Sequence, residues 1–251
     1  MKVFFVGAGP GDPELLTVKA KKLLEACNVC VYAGSLVSDE VIALIPTSSE
    51  KHDSATMNLN EIIEVFINAS KRGLDVIRLH SGDPAIYGAI GEQMKRLDEL
   101  GFEYEVIPGI SSFQASAALL KKELTAPEVS QTIILTRVAG RTPAPAEQDL
   151  AILGKSRATL CIFLSVLKID EMAQKLMGSY GKNAPVKVVY RASLPNQLVI
   201  HGTLFDIAEK VRAAKITKTA MIIVGWALDN NNEAVSKLYD KSFSHECRKA
   251  Q

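Results

Sequence analysis

Along the first half of the chain, short apolar runs meet glycine- or proline-bearing turns, and segments with helical spacing follow. Residues 2–6 read as a strand, residues 7–12 as a turn, and residues 13–26 as a helix with Leu15, Leu16, Ala20, Leu23 and Leu24 on one stripe. Residues 29–33 predict a second strand. An amphipathic helix spans residues 60–70, with Ile62, Ile63, Phe66 and Ile67 on one side. Residues 75–80 predict a third strand, followed by Ser81-Gly82-Asp83-Pro84 and a helix to about Leu100. Residues 104–107 predict a fourth strand, leading through Pro108-Gly109 into a helix over residues 111–120. Strands alternating with helices of this length predict a mostly parallel sheet covered on both faces.

The second half is less regular. Strands are predicted over residues 131–136, 158–165, 186–191, 198–202 and 219–225, and helices over 169–180 and 204–214, with a loop at 140–148. The short gap from Arg191 to Leu198, holding Pro195-Asn196, reads as a hairpin, so this sheet is expected to be mixed. The polar junction Lys121-Lys122-Glu123 places a domain boundary near residues 118–126, giving domains of 1–120 and 121–228. The remaining tail, 229–251, opens on a run of asparagines, carries few large apolar residues and is expected to be loosely ordered.

Composition narrows the class. At 251 residues the chain allows one to two domains, and 47% apolar against 23% charged residues excludes disorder as the main state. The net charge of +1 gives no global basic field, so neither nucleic acid nor a membrane surface is an expected partner. The opening apolar run stops at Gly7, too early for a signal peptide, and no stretch is long enough to span a bilayer. The four cysteines are too few for a disulfide scaffold. A cytoplasmic setting is expected. Cys27-Asn28-Val29-Cys30 has CxxC spacing but runs into a strand rather than a helix, so buried small hydrophobes are expected there and no metal site.

Candidate chemistry sits in three turns of one design. Asp12 is placed to cap a helix whose first turn holds Pro13, Gly82-Asp83-Pro84 repeats the arrangement, and Pro108-Gly109-Ile110-Ser111-Ser112 offers serines. In a parallel sheet all three fall at the carboxyl ends of strands, where open α/β sheets bind ligands. Gly7-Ala8-Gly9-Pro10-Gly11-Asp12 lacks the Lys-Ser/Thr of a P-loop, and Asp12 stands where a dinucleotide fingerprint needs glycine. His52-Asp53, after a loop at 46–51, fits a site pair or a surface pair.

Three spaced motifs, in order, carry a resemblance. They are Gly7-Ala8-Gly9-Pro10-Gly11-Asp12-Pro13 with Leu15-Leu16-Thr17, then Ser81-Gly82-Asp83-Pro84-Ala85-Ile86-Tyr87-Gly88, then Ile107-Pro108-Gly109-Ile110-Ser111-Ser112. The chain resembles the tetrapyrrole (corrin/porphyrin) methylases from about residue 2 to Gly225. The resemblance implies a two-domain α/β fold with S-adenosylmethionine bound between the domains and S-adenosylhomocysteine as product. Tyr32-Ala33-Gly34-Ser35-Leu36-Val37, the segment from Glu123 to Thr132, Leu135-Thr136-Arg137 with Gly140-Arg141-Thr142-Pro143, and the tail residues Leu238-Tyr239-Asp240 and Phe243-Ser244-His245 are similar to one branch. That branch methylates carbon 11 of precorrin-4, or its cobalt form, in cobalamin biosynthesis. Another ring position, a nucleotide-binding module without chemistry, and an inactive relative serving in an assembly are the alternatives.

By the same resemblance, Pro10, Ser81, Gly82, Asp83, Ile86, Tyr87, Ser111 and Ser112 surround the cofactor from the first domain. Leu164, Ala192, Thr219, Ala220 and Met221 do so from the second, and a homodimer is implied. Relatives that methylate uroporphyrinogen carry an Asp just after the second strand's tyrosine. Here Ala33-Gly34-Ser35 stands instead, so no catalytic acid or base is assigned. A substrate rimmed by carboxylates needs cations, for which Arg137, Arg141, Arg191 and His201 are the candidates.

Overall fold

The computed structural model describes residues 1–140, 142–229, 243–244 and 249. The chain divides into two compact units. One holds Met1–Ser116 with Arg191–Gln197, and the other holds Ala117–Tyr190 with the described residues from Leu198 onward.

The first unit is built from β1 (Lys2–Gly7), α1 (Val18–Glu25), β2 (Val29–Tyr32), α2 (Asp39–Ile42), β3 (Glu50–Asp53), α3 (Leu59–Lys71), β4 (Val76–His80), α4 (Ile90–Glu99), β5 (Glu103–Ile107) and the start of α5 (Ser112–Leu120). Its sheet runs β3-β2-β4-β1-β5, parallel throughout. The strand period of two divides the apolar residues between two layers. Val6, Ile77 and Leu79 pack with Ala20 and Leu24 of α1 and with Val41 and Ile45. Val3, Phe5, Val31 and Val76 pack with Ile62, Ile63 and Phe66 of α3 and with Leu97 of α4. Covering both faces explains the near-continuous apolar runs of β1 and β2. A capping box between Asn58 and Glu61 starts α3.

Three expectations for this unit need correction. The helix expected over 13–26 is broken. Asp12 Oδ1 accepts from the Glu14 N–H at 2.8 Å to cap a single 3-10 turn, Pro13–Leu15, and Thr17 Oγ1 accepts from the Ala20 N–H at 3.1 Å to start α1 afresh. Two caps five residues apart outrank one apolar stripe. β3 occupies residues expected to lie mainly in a loop. Its sequence Glu-Lys-His-Asp has no apolar alternation because it is an edge strand, where charge discourages unwanted pairing. The helix expected directly after Pro84 begins only at Ile90, because Tyr87 (φ 56°) and Ala89 (φ 49°) are left-handed.

The second unit holds β6 (Ile133–Arg137), α6 (Leu150–Leu153), β7 (Thr159–Phe163), α7 (Ile169–Tyr180), β8 (Pro185–Tyr190), β9 (Leu198–Thr203), α8 (Ile207–Ala213) and β10 (Ala220–Val224). Its sheet order is β6-β7-β10-β8-β9, with β6 and β7 parallel and the other neighbours antiparallel, so it is mixed as expected. β8 and β9 form the expected hairpin, with Tyr190 opposite Leu198. Leu160, Ile162, Met172, Leu176, Val186, Val188, Ile222 and Val224 centre its core. The loop at 140–148 contains a short 3-10 turn, Ala146–Gln148, leading into α6, which Asp149 caps by accepting from the Ala151 N–H. Among the described residues no helix is long and apolar enough to cross a membrane.

Candidate active site

Strand order places the three motif turns side by side, because β4, β1 and β5 are neighbours and all point the same way. The turns are also bonded to one another. The Gly9 N–H donates to Gly82 O at 3.2 Å and the Gly82 N–H returns a bond to Gly9 O at 2.7 Å, while the Ala8 N–H donates to His80 O at 2.7 Å. Glycine is required where they touch: a Cβ on Gly109 would stand 2.2 Å from Gly82 O, and one on Gly7 would stand 2.6 Å from Gly109 Cα.

Asp83 fastens this edge. Its Oδ1 accepts from the Ala85 N–H at 2.8 Å and its Oδ2 from the Gly109 N–H at 3.1 Å, tying the second turn to the third. The first turn reaches the Arg191–Gln197 segment, since the Asp12 N–H donates to Ser193 Oγ at 3.1 Å. In the third turn the Ser111 N–H donates to Gln114 Oε1 at 2.9 Å, so the backbone of Ser111 makes the tie. One edge of the first unit therefore gathers Pro10, Ser81, Gly82, Asp83, Ile86, Tyr87, Ser111 and Ser112. Ala192 lies in the segment bonded to it.

The second unit carries the other candidates. Ile222 pairs with Ile162, Arg137 with Phe163 and Ala220 with Tyr190, so Arg137, Leu164 and Thr219-Ala220-Met221 share one end of its sheet. Leu164 (φ 54°) and Thr219 (φ 55°) are left-handed there, and Leu164 is 74% exposed while Met221 is buried. Arg137 clamps its own loop, donating to Thr142 O at 3.0 Å and to Pro143 O at 2.9 Å. Arg191, which groups with Ala192 in the first unit, opens the turn of the β8–β9 hairpin in a left-handed conformation (φ 49°). His201 pairs with Lys187, three positions along β9 from Leu198. Burial, together with the Lys187 and Lys210 charges, lowers its pKa, so it offers a hydrogen bond rather than a charge. Arg141, Leu238-Tyr239-Asp240, His245 and the rest of 230–242 lie outside the described residues. Asp53 serves the local backbone, since its Oδ1 accepts from the Gly34 and Ala55 N–H groups at 3.1 and 2.8 Å and so fixes the turn after β2.

A buried polar cluster below the turns was not foreseen from the residue pattern. Arg78 and His80, 6% and 4% exposed, project from β4 on the face shared with Phe5 and Val31, and Gln93 of α4, 4% exposed, meets Arg78. Arg78 Nε donates to Gln93 Oε1 at 3.0 Å and Arg78 Nη1 to Val31 O at 3.3 Å. Burial pushes the Arg78 pKa down to about 10. Burial, reinforced by the Arg78 charge, pushes the His80 imidazole down to about 3, and its Nε2 has no partner among the described residues. A signal existed: arginine and histidine interrupt a strand whose other positions are buried and apolar. Cys27 and Cys30, as expected, are buried thiols in the core beside α1.

Both units are matched by known proteins. The chain is 52% identical over 99% of its length to a cobalt-precorrin-4 C(11)-methyltransferase of Methanocaldococcus jannaschii, covering 96% of that protein. It is 47% identical over 98% of its length to a precorrin-4 C(11)-methyltransferase of Pseudomonas aeruginosa, covering 98% of it. The crystal structure of a cobalt precorrin-4 methyltransferase superposes with a TM-score of 0.89 at 41% identity, over 91% of this chain and 96% of that one. A Thermus thermophilus uroporphyrin-III C-methyltransferase complexed with S-adenosylhomocysteine superposes with a TM-score of 0.76 at 31% identity, over 91% and 93% of the two chains. Residues 2–208, which include all three bonded turns, match the Tetrapyrrole (Corrin/Porphyrin) Methylases, and the chain belongs to that family.

Proposed function

We propose that this chain transfers a methyl group from S-adenosylmethionine to carbon 11 of precorrin-4, or of its cobalt form, releasing S-adenosylhomocysteine in cobalamin biosynthesis. The observation that carries the reading is near full-length identity to relatives named for that carbon, with all three turns intact and bonded into one edge. The residues fit the cofactor. Glycines let the three turns close on one another into a single edge at the carboxyl ends of parallel strands, where open α/β sheets bind ligands. Ile86 and the half-exposed Tyr87 offer apolar surface for adenine. Leu164, Ala192 and Thr219-Ala220-Met221 complete the proposed contacts. The cofactor supplies an electrophilic methyl group on a sulfonium. This chain's residues contribute placement, since a ring carbon of enamine character brings its own nucleophilicity and rate then follows from alignment.

The substrate's acetate and propionate groups are assigned to Arg137, Arg141 and Arg191, with His201 as a neutral hydrogen-bonding partner. The enzyme is proposed to work in the cytoplasm as a homodimer, without nucleic acid or membrane partners. The test is incubation with methyl-labelled S-adenosylmethionine and precorrin-4 or cobalt-precorrin-4, with the labelled carbon located by NMR. Label at carbon 11 is expected. Label elsewhere on the ring moves the assignment to another position, and tight S-adenosylhomocysteine binding without turnover favours the inactive relative.

A further inference from the structure

The buried arginine of β4 has no carboxylate partner among the described residues. What it has is Gln93, and the chemistry of that pair determines more than its own stability. Arginine carries only donors, so the bond from Arg78 Nε fixes the Gln93 amide with its oxygen toward the guanidinium. The Gln93 amino group is thereby turned the other way, where it donates to Ala89 O at 3.2 Å. Ala89 ends the tight turn that carries Ile86 and Tyr87. Tyr87 and Ala89 are both left-handed, and a Cβ on Gly88 between them would stand 2.1 Å from Pro84 O. A turn so strained holds its shape only where its surroundings fix it. The N-cap residue Ala89 has no capping side chain of its own, and the Gln93 amide supplies a side-chain bond at that junction. The same guanidinium reaches Val31 O in β2 and Leu79 O in β4, so its anchorage is the sheet itself.

From this we infer that Arg78 and Gln93 are positioning residues for cofactor binding: Arg78 orients Gln93, and Gln93 holds the 84–89 turn in the shape that presents Ile86 and Tyr87. The inference rests on the cofactor reading above. Its distinguishing consequence is that stability and affinity move in opposite directions in Gln93→Glu. The carboxylate keeps the side chain's shape and gives the buried Arg78 charge a counter-charge. It also replaces the amino donor with an acceptor facing Ala89 O.

The experiment compares wild type and Gln93→Glu by thermal unfolding, by calorimetric titration with S-adenosylhomocysteine, by methyl-transfer kinetics, and by hydrogen exchange of residues 84–90 in the ligand-free protein. A melting temperature at or above wild type is expected, with dissociation constant and KM for S-adenosylmethionine raised about fivefold, the worth of one buried hydrogen bond. The turnover number should stay within about twofold, and exchange at 84–90 should quicken. An unchanged dissociation constant, or an affinity loss that only follows a lowered melting temperature, overturns the inference. The double variant Arg78→Met with Gln93→Leu, which removes the charge together with its partner, should show the same affinity loss if Gln93→Glu fails to fold. Faster exchange at 84–90 in a protein whose wild type binds no S-adenosylhomocysteine would sink the cofactor reading while leaving the tie in place.

Discussion

His80 gives the structure a pH dependence whose size can be worked out. Its imidazole is buried at the carboxyl end of β4 against the Phe5 ring, 6.0 Å between centroids, and burial beside Arg78 holds its pKa at about 3 rather than the usual 6.5. A histidine whose folded pKa is depressed is neutral in both states above pH 6.5. Below that value the unfolded chain takes up a proton that the folded chain refuses, so stability falls with pH until about 3, by about 1.4 kcal/mol per unit. At pH 5 the loss from this one group is about 2 kcal/mol relative to pH 8. For a chain of this length that corresponds to about 5 °C in melting temperature. The perturbation is His80→Phe, which keeps a ring against Phe5 and removes the titration. Scanning calorimetry at pH 8 and pH 5 on both proteins isolates the effect, because packing changes cancel when each protein is compared with itself. The drop between the two pH values should be about 5 °C smaller in the variant. Equal drops in the two proteins would mean that His80 accepts its proton in the folded state, refuting the claim that it is buried neutral.

Asp83→Ala removes the acceptor shared by the Ala85 and Gly109 N–H groups, so the second and third turns lose their tie. The expected cost is about 2 kcal/mol of stability, with S-adenosylhomocysteine affinity lowered at least tenfold in a titration; unchanged affinity would remove Asp83 from the site. Arg137→Ala frees the loop it clamps and removes a proposed carboxylate partner. Tetrapyrrole KM should rise about tenfold, the worth of one charge-assisted contact, while S-adenosylhomocysteine binding stays within twofold, and a loss of cofactor affinity would overturn the assignment.

Where a local rule acted alone, the sequence sufficed. Apolar runs set between glycine turns specified β1, β4 and β5, and the Arg191–Leu198 gap specified the β8–β9 hairpin. Where two local rules competed, it did not. The stripe from Leu15 to Leu24 argued for one helix, yet the Thr17 cap divided it. β3 escaped because pairing with β2 is a tertiary event and its own residues are polar. The three turns were legible as sites because glycine, proline and aspartate at strand ends have a specific backbone chemistry. That Asp83 spends its second oxygen on the third turn was not legible, since the Gly109 N–H is distant in sequence. Arg78 stood in plain view as a charge inside an apolar strand. Its partner Gln93 looked like an ordinary polar position of α4, and only the fold places the two together.

The central claim is that the edge made by the three turns holds an S-adenosyl ligand. Its most direct test is calorimetric titration of the purified protein with S-adenosylhomocysteine, with ATP and NAD as parallel ligands and Asp83→Ala as the control. Selective binding at about micromolar strength (roughly −8 kcal/mol), weakened in the control and absent for ATP and NAD, is the predicted result. No binding of S-adenosylhomocysteine by the folded protein, or an equal preference for ATP or NAD, would contradict it.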